Sequence, residues 1–99
     1  MSARFAFRGT LWRYSGDAAW HFVTLPAETS AQLRALSQGI RNAFGSLRVI
    51  ARIGATQWRT SVFADTEAGA FLLPVKAEVR RKERLGDGDL IEVSVEIDL

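Results

Sequence analysis

The chain has no cysteine, and it carries one histidine, one methionine and two prolines. Without thiols there is no disulfide framework and no thiolate metal site, so the core must hold without covalent staples. A single imidazole, His21, leaves a metal centre short of nitrogen ligands as well, and neither metal nor cofactor is expected. Apolar runs are short and interrupted by arginine, so none can cross a bilayer as a helix. The first eight residues lack the continuous apolar stretch of a secretory signal, which makes a cytoplasmic address without a membrane partner the expectation. No glycine-rich phosphate loop or nucleophile elbow is present, because the turn Gly86, Asp87, Gly88, Asp89 precedes a strand pattern rather than a helix.

An excess of one charge is missing too. Thirteen basic and eleven acidic residues leave a net charge of +2. The isoelectric point near 9.7 reflects arginine, which stays charged to very high pH. Overall charge therefore makes no case for nucleic acid; only clustering could. What is present suits one domain over residues 1–99, with 47% hydrophobic residues available for a core.

The C-terminal stretch organises the rest. Ile91, Val93, Val95 and Ile97 alternate with Glu92, Ser94, Glu96 and Asp98, and a slip of one residue would bury three carboxylates. Ahead of this strand lies a short basic helix with Glu78 and Lys82 four apart, Val79 and Leu85 as its anchors, and Gly86 as the residue after its end. At the N-terminal end, Phe5, Phe7 and Leu11 alternate with polar residues as a first strand, with Gly9 on the apolar side permitting close packing. Residues 19–25 read as a second strand with Trp20 packed inside. An amphipathic helix follows over 26–39, with Leu33, Leu36 and Ile40 as its stripe, and the loop 42–46 ends it. Three more strands, 47–53, 58–64 and 70–75, are joined by connectors short enough for hairpins. Six short strands and two short helices without a repeat predict a mainly β fold: a small, closed, mostly antiparallel six-stranded barrel, whose closure removes unpaired edges.

The hairpin over residues 47–64 carries the first candidate site. Pairing Ile53 with Trp58, Val49 with Val62 and Leu47 with Ala64 gives both strands one apolar face, and sets Arg52 directly opposite Arg59 with Arg48 farther along. Facing like charges need neutralising, so Arg48, Arg52 and Arg59 are candidates for binding a small anion through bidentate guanidinium contacts. The competing expectation is an internal ion-pair ladder with Glu92, Glu96 and Asp98. Trp12 lies on the opposite parity from Phe5, Phe7 and Leu11, and is a candidate for stacking on a base or a sugar of a ligand, or for covering a barrel end or a dimer contact. The run from Arg80 to Arg84 is broken by Glu83 and reads as a solvated face before it reads as a phosphate contact. His21 in an apolar strand reads as structural, and Asp87 and Asp89 as turn residues; no catalytic residue is assigned.

Several segments in order carry a resemblance: Phe7 to Leu11, Trp20 to Pro26, Trp58 to Val62, Ala70 to Lys76, Val79-Arg80 and Gly88 to Val95. Together they resemble the bacterial family known as domain of unknown function 1905 (DUF1905), over nearly the whole chain. The resemblance implies a small closed β-barrel and no catalytic residues. In that family the domain often stands alone and is sometimes followed by a second domain related to bacteriocin-protection proteins, an extension not expected after Leu99. A shorter stretch, basic helical turn, Gly-Asp and alternating strand, resembles the swapped-hairpin barrels of AbrB-type transcription regulators, which are DNA-binding dimers. The leading expectation is a non-enzymatic binding or interaction module for a small anionic ligand or a protein partner. A DNA-binding dimeric regulator is the alternative, and an enzyme acting on an anionic metabolite ranks below both.

Overall fold

The computed structural model describes residues 3–16, 19–38, 45–65 and 67–98. In chain order the elements are β1 (Arg4–Arg13), β2 (His21–Thr24), α1 (Ala27–Leu36), β3 (Ser46–Ile53), β4 (Thr56–Asp65), β5 (Ala70–Pro74), α2 (Ala77–Glu83) and β6 (Leu90–Ile97). Among the described residues the strands close into one barrel in the order β1-β2-β5-β4-β3-β6, with every neighbouring pair antiparallel. The expected mainly β barrel with two short helices is the fold, and strands of one chain complete the cylinder. No described helix is long and apolar enough to cross a membrane.

Closure is made by β6, as its alternation requires. Ile91, Val93 and Val95 are buried, while Glu92 is exposed on the outer face. One edge of β6 pairs with β1 from Arg4↔Glu96 to Thr10↔Leu90, and the other pairs with β3 from Val49↔Ile97 to Ile53↔Val93. The core these strands enclose is filled by Leu11, Val23, Leu25, Val49, Val62, Phe71, Leu73, Val75 and Val95, with Leu33 and Val79 entering from the helices. Burying one such side chain contributes about 1.5–3 kcal/mol, and apolar burial is what stabilises a cysteine-free barrel. Gly9 supports the close packing expected of it, since a Cβ built there would overlap the Cγ1 methyl of Val23.

Four local expectations are corrected. The β3–β4 hairpin is shifted by two residues: Ile53 pairs with Thr56, Ala51 with Trp58 and Leu47 with Val62. Gly54 has φ +59 and sits first in a two-residue turn, the arrangement of a type II′ hairpin, which needs fewer connecting residues than the expected loop. Trp20 is not inside; it precedes β2 and is 55% exposed. In α1 Leu36 is exposed, and the buried face is Thr29, Ser30 and Leu33, with Ser37 beyond the helix end. Ser30 Oγ accepts the Phe71 amide at 3.0 Å, so a hydroxyl fastens this helix to β5. Ile40 and most of the 42–46 loop lie outside the described residues. Finally, α2 ends at Arg84 in the left-handed region (φ 56, ψ 50), not at Gly86; Val79 and the partly buried Leu85 are its anchors as expected.

Candidate functional site

The two-residue shift changes how the three hairpin arginines meet. Arg52 lies opposite Gln57, Arg48 opposite Ser61, and Arg59 opposite Ile50, so no two arginines face each other directly. All three remain exposed on the outer face. Their neighbours on that face are the acids of β6, and an ion-pair ladder runs along it. Arg8 grips Glu92 Oε1 through Nε at 3.2 Å and Nη2 at 2.9 Å, Arg4 lies 3.9 Å from Glu96, and Arg59 Nε lies 3.8 Å from Asp98. The arginines of β1 therefore take two of the three acids expected to serve the hairpin. Arg52 turns back on its own strand end, its Nε donating to the Gly54 carbonyl at 3.2 Å. A surface groove of about 550 Å³ passes between Arg8, Arg52, Glu92 and Ser94, and its charged side chains already have partners within the chain.

A different hollow forms where the barrel's ladder gives out. β4 and β5 pair only from Phe63↔Leu72 to Asp65↔Ala70. Beyond Leu72 the next amide of β5 that would face β4 belongs to Pro74, which has no N–H to offer, while on the other edge the Val75 amide continues the pairing with β2 by donating to the His21 carbonyl at 2.9 Å. The chain then turns into α2, leaving Trp58, Arg59 and Thr60 of β4 without a strand beside them on that edge. The resulting cleft has a volume of about 480 Å³. Trp20 and His21 line one side, Pro74, Val75 and Lys76 another, and Arg80 enters from α2. Trp58 is almost fully buried and Val75 completely so, giving the cleft an apolar floor.

Three cations, Arg59, Lys76 and Arg80, line this cleft. Arg80 Nε donates to the Val75 carbonyl at 3.1 Å, which pins its guanidinium beside the strand end. The carboxylates nearest the other two stand at the limit of an ion pair: Asp98 at 3.8 Å from Arg59 and Glu78 at 3.9 Å from Lys76. Glu78 is drawn more closely to Lys82, at 3.3 Å. That hydrogen bond, reinforced by the charges of Lys82 and Lys76, holds its carboxyl below the ordinary value of 4.5. Cations gathered in a concave site with loosely held counter-charges can accept an anion through charge-assisted hydrogen bonds.

His21 borders the cleft but is committed elsewhere. Its Nδ1 lies 3.0 Å from the Ala19 carbonyl oxygen and its Nε2 2.7 Å from Asp87 Oδ1. With both nitrogens occupied, the ring ties the start of β2 to the turn before β6, and neither nitrogen is left to take a proton from a substrate. Among the described residues no group of three or more His, Asp or Glu side chains could hold a metal ion.

Trp12 is half-buried. Its indole N–H donates to Thr24 Oγ1 at 2.9 Å, and its ring packs on Phe22 with centroids 5.1 Å apart. It therefore braces the outer wall from β1, and the exposed indole is Trp20. Of the residues singled out from sequence, the fold brings Arg59 and Arg80 to one cleft and leaves Arg48 and Arg52 on the ladder face. Lys76 had no distinguishing sequence signal of its own. Pro74, which ends a strand immediately before it, is the signal that marks the opening.

No curated protein matches this chain at a significant level. A family model does match it, over residues 7–95, a span that runs from the second inward phenylalanine of β1 to Val95 at the barrel's seam. The chain belongs to the family described as domain of unknown function DUF1905.

Proposed function

We propose that this barrel is a non-enzymatic binding module, working in the cytoplasm, whose ligand is a small anion held in the cleft between β4 and the β5–α2 junction. Arg59, Lys76 and Arg80 are its contacts, and the anionic group is a phosphate or a carboxylate. The observation that carries the reading is the convergence of three cations on a hollow of about 480 Å³, Arg59 and Lys76 with their carboxylates at the limit of an ion pair and Arg80 pinned to a backbone carbonyl. That volume falls within the ~300–1,000 Å³ span of small-molecule sites. The groove beside Arg8 and Arg52 is a poorer candidate, because an anion there would have to displace Glu92 from Arg8.

A ligand that prefers the folded state raises the melting temperature in proportion to the logarithm of its saturation. Millimolar inorganic phosphate is therefore expected to raise Tm by a few degrees, and Arg59→Ala is expected to remove most of that rise. The absence of any rise with phosphate, acetate or citrate would refute the proposal. A larger, salt-sensitive rise with a short DNA duplex would favour the DNA-binding reading instead.

A further inference from the structure

We propose that the ligand carries a flat aromatic group beside its anionic one, so that the site takes an aryl phosphate or aryl carboxylate. The inference rests on the anion reading above and specifies its ligand. Trp20 is the hinge between two hollows. It lines the cationic cleft, and it also lines a groove of about 320 Å³ formed with Tyr14, Phe22, Phe63 and Leu72.

This second hollow is apolar throughout, and its walls are exposed: Trp20 by 55%, Tyr14 by 52% and Phe63 by 45%. The rings are held in order. Trp20 lies nearly parallel to Phe22, with centroids 6.1 Å apart and planes 10° apart, while Tyr14 meets Phe22 edge-on at 79°. A stack of this kind offers a flat, preorganised surface, and aromatic rings gain from offset or edge contact beyond the area they bury. An apolar dish alone would say nothing about its occupant. Here it adjoins three cations, so an occupant with one charged end and one flat apolar end satisfies both hollows at once. The dish carries no charged side chain for a second ionic group. With volumes of about 480 and 320 Å³, the two hollows together are of small-molecule size.

The test is calorimetric titration of the whole chain with inorganic phosphate, 1-naphthyl phosphate and 1-naphthol. Naphthyl phosphate is expected to bind at least tenfold more tightly than phosphate, and naphthol is expected to bind more weakly than naphthyl phosphate. Trp20→Ala is expected to erase the tenfold gain, and Phe63→Ala, whose ring lines only the apolar groove, to leave phosphate binding intact. Phe63→Ala, a second exposed wall residue, should reduce the gain in part and so guards against a folding defect in the first variant. Equal affinities for phosphate and naphthyl phosphate would overturn this inference while sparing the anion reading, as would a gain that survives both substitutions. Failure of phosphate and naphthyl phosphate alike, with folded protein, would overturn both.

Discussion

The barrel has two unlike halves. Around β1, β6 and β3 the ladders are long, running from Arg4↔Glu96 to Thr10↔Leu90 and from Val49↔Ile97 to Ile53↔Val93. The outward arginines of β1, Arg4 and Arg8, find carboxylates on β6, and Arg52 of β3 donates to a backbone carbonyl. Around β2, β5 and β4 the ladders are short, Pro74 cuts one of them off, and cations gather at the break with their acids held loosely. The same residue type thus plays two parts. Where strand pairing continues, Arg8 is held at 2.9 Å by the acid across from it; where it stops, Arg59 stands at the edge of a hollow with its acid at 3.8 Å. The cleft proposed as the anion site lies at the end of the ladder, away from the face that carries Arg48 and Arg52.

The comparison can be broken most forcefully in the long-ladder half. Gly9→Val would drive a branched side chain into Val23, and overpacking of this kind is expected to cost about 2–3 kcal/mol. A fall in the urea midpoint at unchanged slope would show it. A near-wild-type midpoint would mean that β1 and β2 are less tightly apposed than described. The tie between the halves comes next. Asp87→Asn weakens the contact to His21 Nε2 and is expected to lower stability by about 1 kcal/mol, read by the same denaturation.

Arg84 sharpens the account in the other direction. Its left-handed backbone disfavours a side chain, so Arg84→Gly is expected to raise stability by about 0.5–1 kcal/mol, visible as a Tm increase of a few degrees. A smaller effect separates the two arginine settings. Arg8→Gln loses a doubly bonded exposed pair and should cost about 0.5 kcal/mol, whereas Arg59→Gln, with its acid at 3.8 Å, should change stability by no more than about 0.2 kcal/mol. The smallest change is a pH effect at Glu78. Because folding lowers its carboxyl below 4.5, its contribution is present above that pH and is lost as pH falls through the folded value. Glu78→Gln should therefore flatten the acid side of the Tm–pH curve slightly, and added salt should mask the difference, since the group is fully exposed.

Much of the cylinder was legible because alternation is a strong signal. Ile91, Val93 and Val95 could face only one way, and the strands before them share that period. Register was less legible. Two pairings of β3 with β4, differing by two residues, keep the same faces inward, and only the tightness of the Gly54 turn decides between them. Helix α1 was misread in part because its buried face sets two hydroxyls, Thr29 and Ser30, beside Leu33, and hydropathy does not mark hydroxyls. Trp20 was misplaced for a related reason: an indole beside a strand suits the core as readily as an outer aromatic stack. The ladder of acids with arginines was foreseen, and Asp98 does meet Arg59 of the hairpin, but Glu92 and Glu96 are met by Arg8 and Arg4, because the sequence does not say that β1 lies beside β6. The cleft itself depends on where two strands part, a property of the closed barrel rather than of any local run of residues.

The most direct measurement is an amide and indole N–H nuclear magnetic resonance titration of the whole chain with inorganic phosphate. Shifts concentrated at the Trp58 indole, Thr60, Lys76 and Ala77, with Ser94 and Glu92 unmoved, are the predicted result. Shifts centred on Arg8, Arg52 and Ser94, or no shifts at saturating phosphate, would contradict the assignment of binding to the broken ladder.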